Sequence, residues 1–121
     1  MKKILAGMLL LGGVAVMSAQ SISFDKTTID YGKIKKGADG HRFFTVMNKG
    51  DKPLIISKVK PACGCTTPEW DKAPIMPGKS AKIKVGYNTA IVSMFKKSIE
   101  VYSNDPEHGR SVLWIQGEVQ N

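Results

Sequence analysis

The stretch Ala81–Tyr87, "AKIKVGY", sets apolar and polar side chains in strict alternation. A period of two puts successive side chains on opposite faces of an extended strand, and no helical stripe can be drawn through it. Ile83, Val85 and Tyr87 are therefore predicted to face a core, and Lys82 and Lys84 to stand in solvent or guard an edge against pairing with other chains. The same reading extends along the chain. Strands are predicted at Ile22–Phe24, near Ile29–Tyr31, and at Arg42–Met47, Leu54–Val59, Ala81–Tyr87, Phe95–Ser103 and Ser111–Val119. Their inward residues are Phe44 and Val46, Leu54 and Ile56, Ile99 and Val101, and Leu113, Ile115 and Val119; Lys97 is assigned outward. Between the strands lie "KKGADG" (35–40 region), "NKGDKP" (48–53), "APIMPGK" (73–79) and "SNDPEHG" (103–109), all rich in residues that reverse a backbone. Seven short strands with no amphipathic helix predict an all-β, immunoglobulin-like antiparallel β-sandwich of about seven strands.

The first residues, "MKKILAGMLLLGGVAVMSAQ", are read separately. Lys2 and Lys3 precede an apolar run from Ile4 to Met17 that ends in small residues, the layout of a secretory signal peptide. The apolar run is shorter than the roughly twenty residues that span a bilayer. The expected organisation is a signal peptide over 1–19 and one β-sandwich domain over 20–121, with no transmembrane segment in the mature chain. The expected location is outside the cytoplasm, periplasmic or secreted, where thiols meet an oxidising medium.

Several motifs fail on their surroundings. "APIMPGKS" ends like a phosphate-binding loop, but Ala73 stands where the leading glycine belongs, and a strand follows instead of a helix. The 121-residue chain carries a formal net charge of +8, almost wholly from lysine, with only Arg42 and Arg110 as arginines. No exposed aromatics interleave with the basic residues, so no nucleic acid is expected as a partner. His41 and His108 sit in turn-rich segments, no carboxylates pair, and no serine sits in a nucleophile elbow. Catalysis is not expected.

Both cysteines fall in "PACGCTTPEW" (61–70), separated only by Gly64. Such neighbours cannot bridge two sheets. Two residues apart on an extended strand, their Cα atoms lie roughly 6–7 Å apart, near the upper limit for a disulfide, so a bond between them needs the bend that Gly64 permits. The ring would constrain little chain entropy and would be comparatively easy to reduce. Four readings stay open: apolar fillers or a local structural disulfide; a bidentate thiolate clamp for Cu or Zn, completed by His41, His108, Met47, Met76 or Met94; redox exchange; and a disulfide to a partner.

The phrases "IDYGKIKKG", "NKGDKPLIISKVKPACGCTTPEW", "IMPGKSAKIKVGYN", "VYSNDP" and "LWIQGEV" together resemble the exported bacterial proteins grouped as domain of unknown function 1573, from about Phe24 to Val119. The resemblance implies an immunoglobulin-like sandwich, in the style of folds that serve as adhesion or scaffolding units. It carries over the signature positions Cys63, Gly64, Cys65 and Thr66 without a role, and Gly50, Pro53, Pro77 and Gly78 as turn positions. The resulting expectation is a non-enzymatic, exported binding or scaffolding module that needs no cofactor and meets an envelope or extracellular protein or polymer. Cys63, Gly64, Cys65, Thr66 and an outward Trp114 are its candidate contacts. The alternative is a Cu- or Zn-binding or thiol-redox protein that uses Cys63 and Cys65.

Overall fold

The computed structural model describes residues 19–121, so the signal peptide assigned to residues 1–19 lies, apart from Ala19, outside the described residues. Eight strands follow in order: β1 (Ile22–Phe24), β2 (Thr28–Lys35), β3 (His41–Asn48), β4 (Ile56–Pro61), β5 (Thr66–Trp70), β6 (Ser80–Tyr87), β7 (Ser93–Ser103) and β8 (Arg110–Gln120). They form two four-stranded sheets, β1-β3-β6-β5 and β2-β8-β7-β4. The inner faces make one core in which Phe44, Val46, Leu54, Ile83, Val85, Ile99, Val101, Leu113, Ile115 and Val119 are fully buried. The inward alternation read from the sequence therefore holds, with Tyr87 only half-buried.

Three details depart from the sequence reading. The sandwich is not wholly antiparallel, because β2 runs parallel to β8. β1 and β2 belong to one N-terminal stretch that changes sheets at Asp25–Thr27 without reversing. Asp25 anchors the switch, its amide donating to Thr45 O and its Oδ1 accepting from the Thr45 and Lys26 amides. There is also an eighth strand, β5, which Pro68 hides from a propensity reading. The Asn88 amide donates to Cys65 O, which sets the ladder so that Thr67 and Glu69 bond β6 while Thr66, Pro68 and Trp70 turn their backbone groups off the sheet. A proline there loses no ladder bond, and it blocks the edge. Finally, Lys97 pairs with Ile115 and shares the parity of Phe95 and Ile99, so it is not on the outer face. It stays half-exposed beside the last β4–β7 bond, from the Ala62 amide to Ser98 O, where the chain leaves the sheet and a lysine stem can reach water.

The two ends of the sandwich are closed differently. At one end two buried polar side chains tie the loops together. Asn48 Nδ2 donates to Lys52 O and Ile75 O, and its Oδ1 accepts from the Gly50 and Ser21 amides. Asp105 accepts from the Ile22, Glu107 and His108 amides, and these donors hold its carboxyl below the usual range against the opposing effect of burial. At the other end an aromatic trio closes the core: Tyr87 stacks on Phe95 at 3.8 Å, and Tyr31 meets Phe95 edge-on at 5.3 Å. The Tyr31 hydroxyl, pushed up to about 12 by burial, donates to Gly40 O, and the Arg42 guanidinium lies 4.2 Å above its ring.

Candidate functional site

Cys63, Gly64 and Cys65 form the crossing from β4 in one sheet to β5 in the other, at the aromatic end of the sandwich. The two cysteines are joined by a disulfide, with Cα atoms 5.3 Å apart. The bond lies within one crossing and links no distant segments. Both cysteines are half-buried, and Gly64 is exposed at the tip with open space where a Cβ would stand. Thr66 turns inward: it is buried, its amide donates to Cys63 O, and its Oγ1 lies 3.8 Å from Cys65 Sγ. It supports the disulfide from beneath and offers no surface to a partner.

The fold brings a histidine to this pair. His41, Gly86 and Thr67 oppose one another in a single row across β3, β6 and β5. Cys65, two residues before Thr67, continues that outer face, and His41 and Cys65 line one recess of about 270 Å³ with Gly64, Thr67, Tyr87 and Asn88. Gly86 is what lets the imidazole lie across the sheet, because a Cβ there would meet Thr67 Oγ1 at 2.9 Å and the His41 ring at 3.0–3.1 Å. On its other side His41 Nδ1 sits 2.8 Å from Asp39 Oδ1. A carboxylate only accepts, so Nδ1 carries the hydrogen and Nε2 is the nitrogen left for the recess. The His41 amide and then its ring hold the Asp39 carboxyl below the usual range. Asp39 is placed by the bond from the Tyr87 amide to Gly40 O, an approach of the two chains so close that a Cβ on Gly40 would sit 2.0 Å from the Tyr87 carbonyl oxygen.

The remaining candidates lie elsewhere. His108 is exposed at the opposite end beside Asp105, and Met47 pairs with Ser80 at that same end. Met76 follows Ile75, whose backbone bridges Leu54 there. Met94 is 79% exposed at the start of β7. Trp114 is half-covered on the outer face of the second sheet, with the Lys96 ammonium 5.2 Å from its ring, and it pairs with Ser98, whose carbonyl accepts from the amide of Ala62 beside Cys63. Among the described residues no three His, Cys, Asp or Glu side chains gather to hold a metal ion. A disulfide offers no thiolate, so a metal clamp at Cys63 and Cys65 requires the reduced pair. The β6–β7 loop, Asn88–Val92, lies against Cys65 through the Asn88 amide and leaves Ile91 66% and Val92 47% exposed. The sequence holds no periodic signal for that apolar tip, since it falls in a loop.

The chain belongs to the family described as protein of unknown function (DUF1573), which matches residues 22–119. No curated protein matches it. Among solved structures it is similar to a protein of unknown function from Porphyromonas gingivalis W83, with TM-score 0.76 and 20% identity over 87% of this chain and 50% of that one. It is also similar to the ASH/PapD-like domain 7 of human CEP192, with TM-score 0.68 and 8% identity over 88% and 90% of the two chains. A third likeness is to the periplasmic chaperone SfaE, with TM-score 0.61 and 10% identity over 84% and 58%. The chain thus spans about half the length of the Porphyromonas protein. At these identities the likenesses establish a PapD-like, immunoglobulin-like fold. No helix among the described residues is long and apolar enough to cross a membrane.

Proposed function

We infer that the protein is an exported binding module that meets another envelope or extracellular protein through the end of the sandwich carrying Cys63–Cys65 and the β6–β7 loop. The observation that carries this reading is the apolar tip: Ile91, Val92 and Met94 are exposed within four residues of one another, just after Asn88, which lines one recess with the exposed Gly64. The strand edges favour contact by loops over strand addition. β5 sets the backbone of Pro68 on its free edge; β4 carries Lys58, Lys60 and a register irregularity and ends on Pro61; β2 is interrupted by an irregularity between Asp30 and Lys33. Export is supported by the signal-like leader in the sequence and by fold likeness to a protein titled as a periplasmic chaperone.

Immobilised protein is incubated with an envelope fraction, and the retained proteins are compared between wild type and an Ile91→Ser, Val92→Ser, Met94→Ser triple variant. A specific partner retained by wild type and by Lys58→Glu, but lost by the triple variant, is the expected result. Equal retention by the triple variant removes the tip from the binding surface.

A further inference from the structure

The disulfide recess has a composition that binding alone does not require. A half-exposed disulfide, an imidazole on the same sheet face, a carboxylate that orients that imidazole, and a glycine that clears its path come from the crossing, β3, the β2–β3 loop and β6. We propose that Cys63–Cys65 is a thiol–disulfide exchange site for a dithiol partner, with His41 as its acid–base group and Asp39 positioning that ring. This goes beyond the binding reading and does not rest on it.

The chemistry follows from the placement. A partner thiolate attacks Cys63 Sγ, the Cys63–Cys65 bond breaks, and Cys65 departs as a thiolate toward the recess, where His41 in its imidazolium form gives it the proton on Nε2 and becomes the neutral ring with its hydrogen on Nδ1 against Asp39. The sulfur beside the acid is the better leaving group. The partner's second thiol then gives its proton to the neutral His41 Nε2 and attacks the partner's own sulfur in the mixed disulfide, releasing Cys63, which takes from solvent the equivalent of the proton that the first partner thiol lost there. Two electrons and two protons have passed from the dithiol to the pair, and the partner leaves as a disulfide. The reverse sequence reduces a partner disulfide, with His41 taking the Cys65 proton. A bond that closes over one intervening residue gains little from loop entropy, so the pair is suited to exchange rather than to permanent closure.

The test is the rate of reduction of the oxidised protein by dithiothreitol across pH, set beside an oxidised peptide of residues 61–67, with folding followed by circular dichroism. The folded protein is expected to react about tenfold faster than the peptide near neutral pH, the low side of general acid–base effects because the ring is half-exposed. His41→Gln should bring the rate to that of the peptide and leave a pH profile set by the attacking thiol alone. Gly86→Ala, which displaces the ring without removing it, should fall between the two. A wild-type rate no greater than that of the peptide, or a His41→Gln protein that keeps the wild-type rate and profile, overturns the proposal.

Discussion

The two ends of the sandwich solve the problem of loop closure in opposite ways. At the Asn48–Asp105 end, buried polar side chains take seven backbone groups between them and so tie the loops to one another. At the Cys63–Cys65 end the aromatic trio seals the core from within, while the crossing and the β6–β7 loop expose a disulfide and apolar side chains outside it. The first end spends its polar groups on the fold. The second leaves its chemistry at the surface, a division expected where a rigid scaffold carries functional loops.

That contrast is open to mutation. The largest effect belongs to Asn48→Ala, which strands several buried backbone donors and acceptors; a loss of about 3–4 kcal/mol is expected by urea unfolding. A loss below about 1 kcal/mol would mean that water satisfies those groups and that this end is no lock.

Asp105→Asn comes next, at about 2 kcal/mol at neutral pH, because a charged acceptor of three amides becomes neutral. It also sharpens the comparison through pH. The Asp105 carboxyl sits below its ordinary value in the fold, so its contribution is present above the unfolded pKa of about 4 and fades as pH falls through the folded one. Wild type should lose stability in that acid window, and the Asn variant should lose less; parallel acid limbs would assign the loss to other carboxylates.

The smallest effect is expected from Cys63→Ser with Cys65→Ser. A bond over a single intervening residue removes little unfolded-state entropy, so the double variant should fold and unfold within about 1 kcal/mol of wild type. A loss as large as that of Asn48→Ala would make the pair a staple and reverse the comparison.

Much of the body was legible because alternation is a local property. Every inward residue named from the pattern in β3, β6, β7 and β8 is buried or half-buried, and Leu54 and Ile56 are buried as well. The exceptions have tertiary causes. The strand holding Pro68 is not among those predicted, and the ladder phase of an edge explains why a proline is tolerated there. Lys97 sits on the core parity because the sheet opens beside it. Ile75 is buried by loop closure that no periodicity records. The cysteines announced a local site by spacing, and Thr66 belongs to it as a buried support. Trp114, placed outward by its register, proves half-covered.

The chain by itself determined that residues 20–121 are extended, two-faced and punctuated by turns, and that the sulfurs must act at one spot, since side-chain direction in a strand depends only on parity and a one-residue spacing cannot reach across a core. Which histidine stands beside those sulfurs was decided only in three dimensions. His41 lies 22 positions before Cys63 in sequence and His108 lies 43 after Cys65, and either was admissible from the chain alone. Pairing β3 and β5 on opposite sides of β6, with a glycine at the shared row, chose His41, because lateral neighbours in a sheet are set by hydrogen-bond register and not by distance along the backbone.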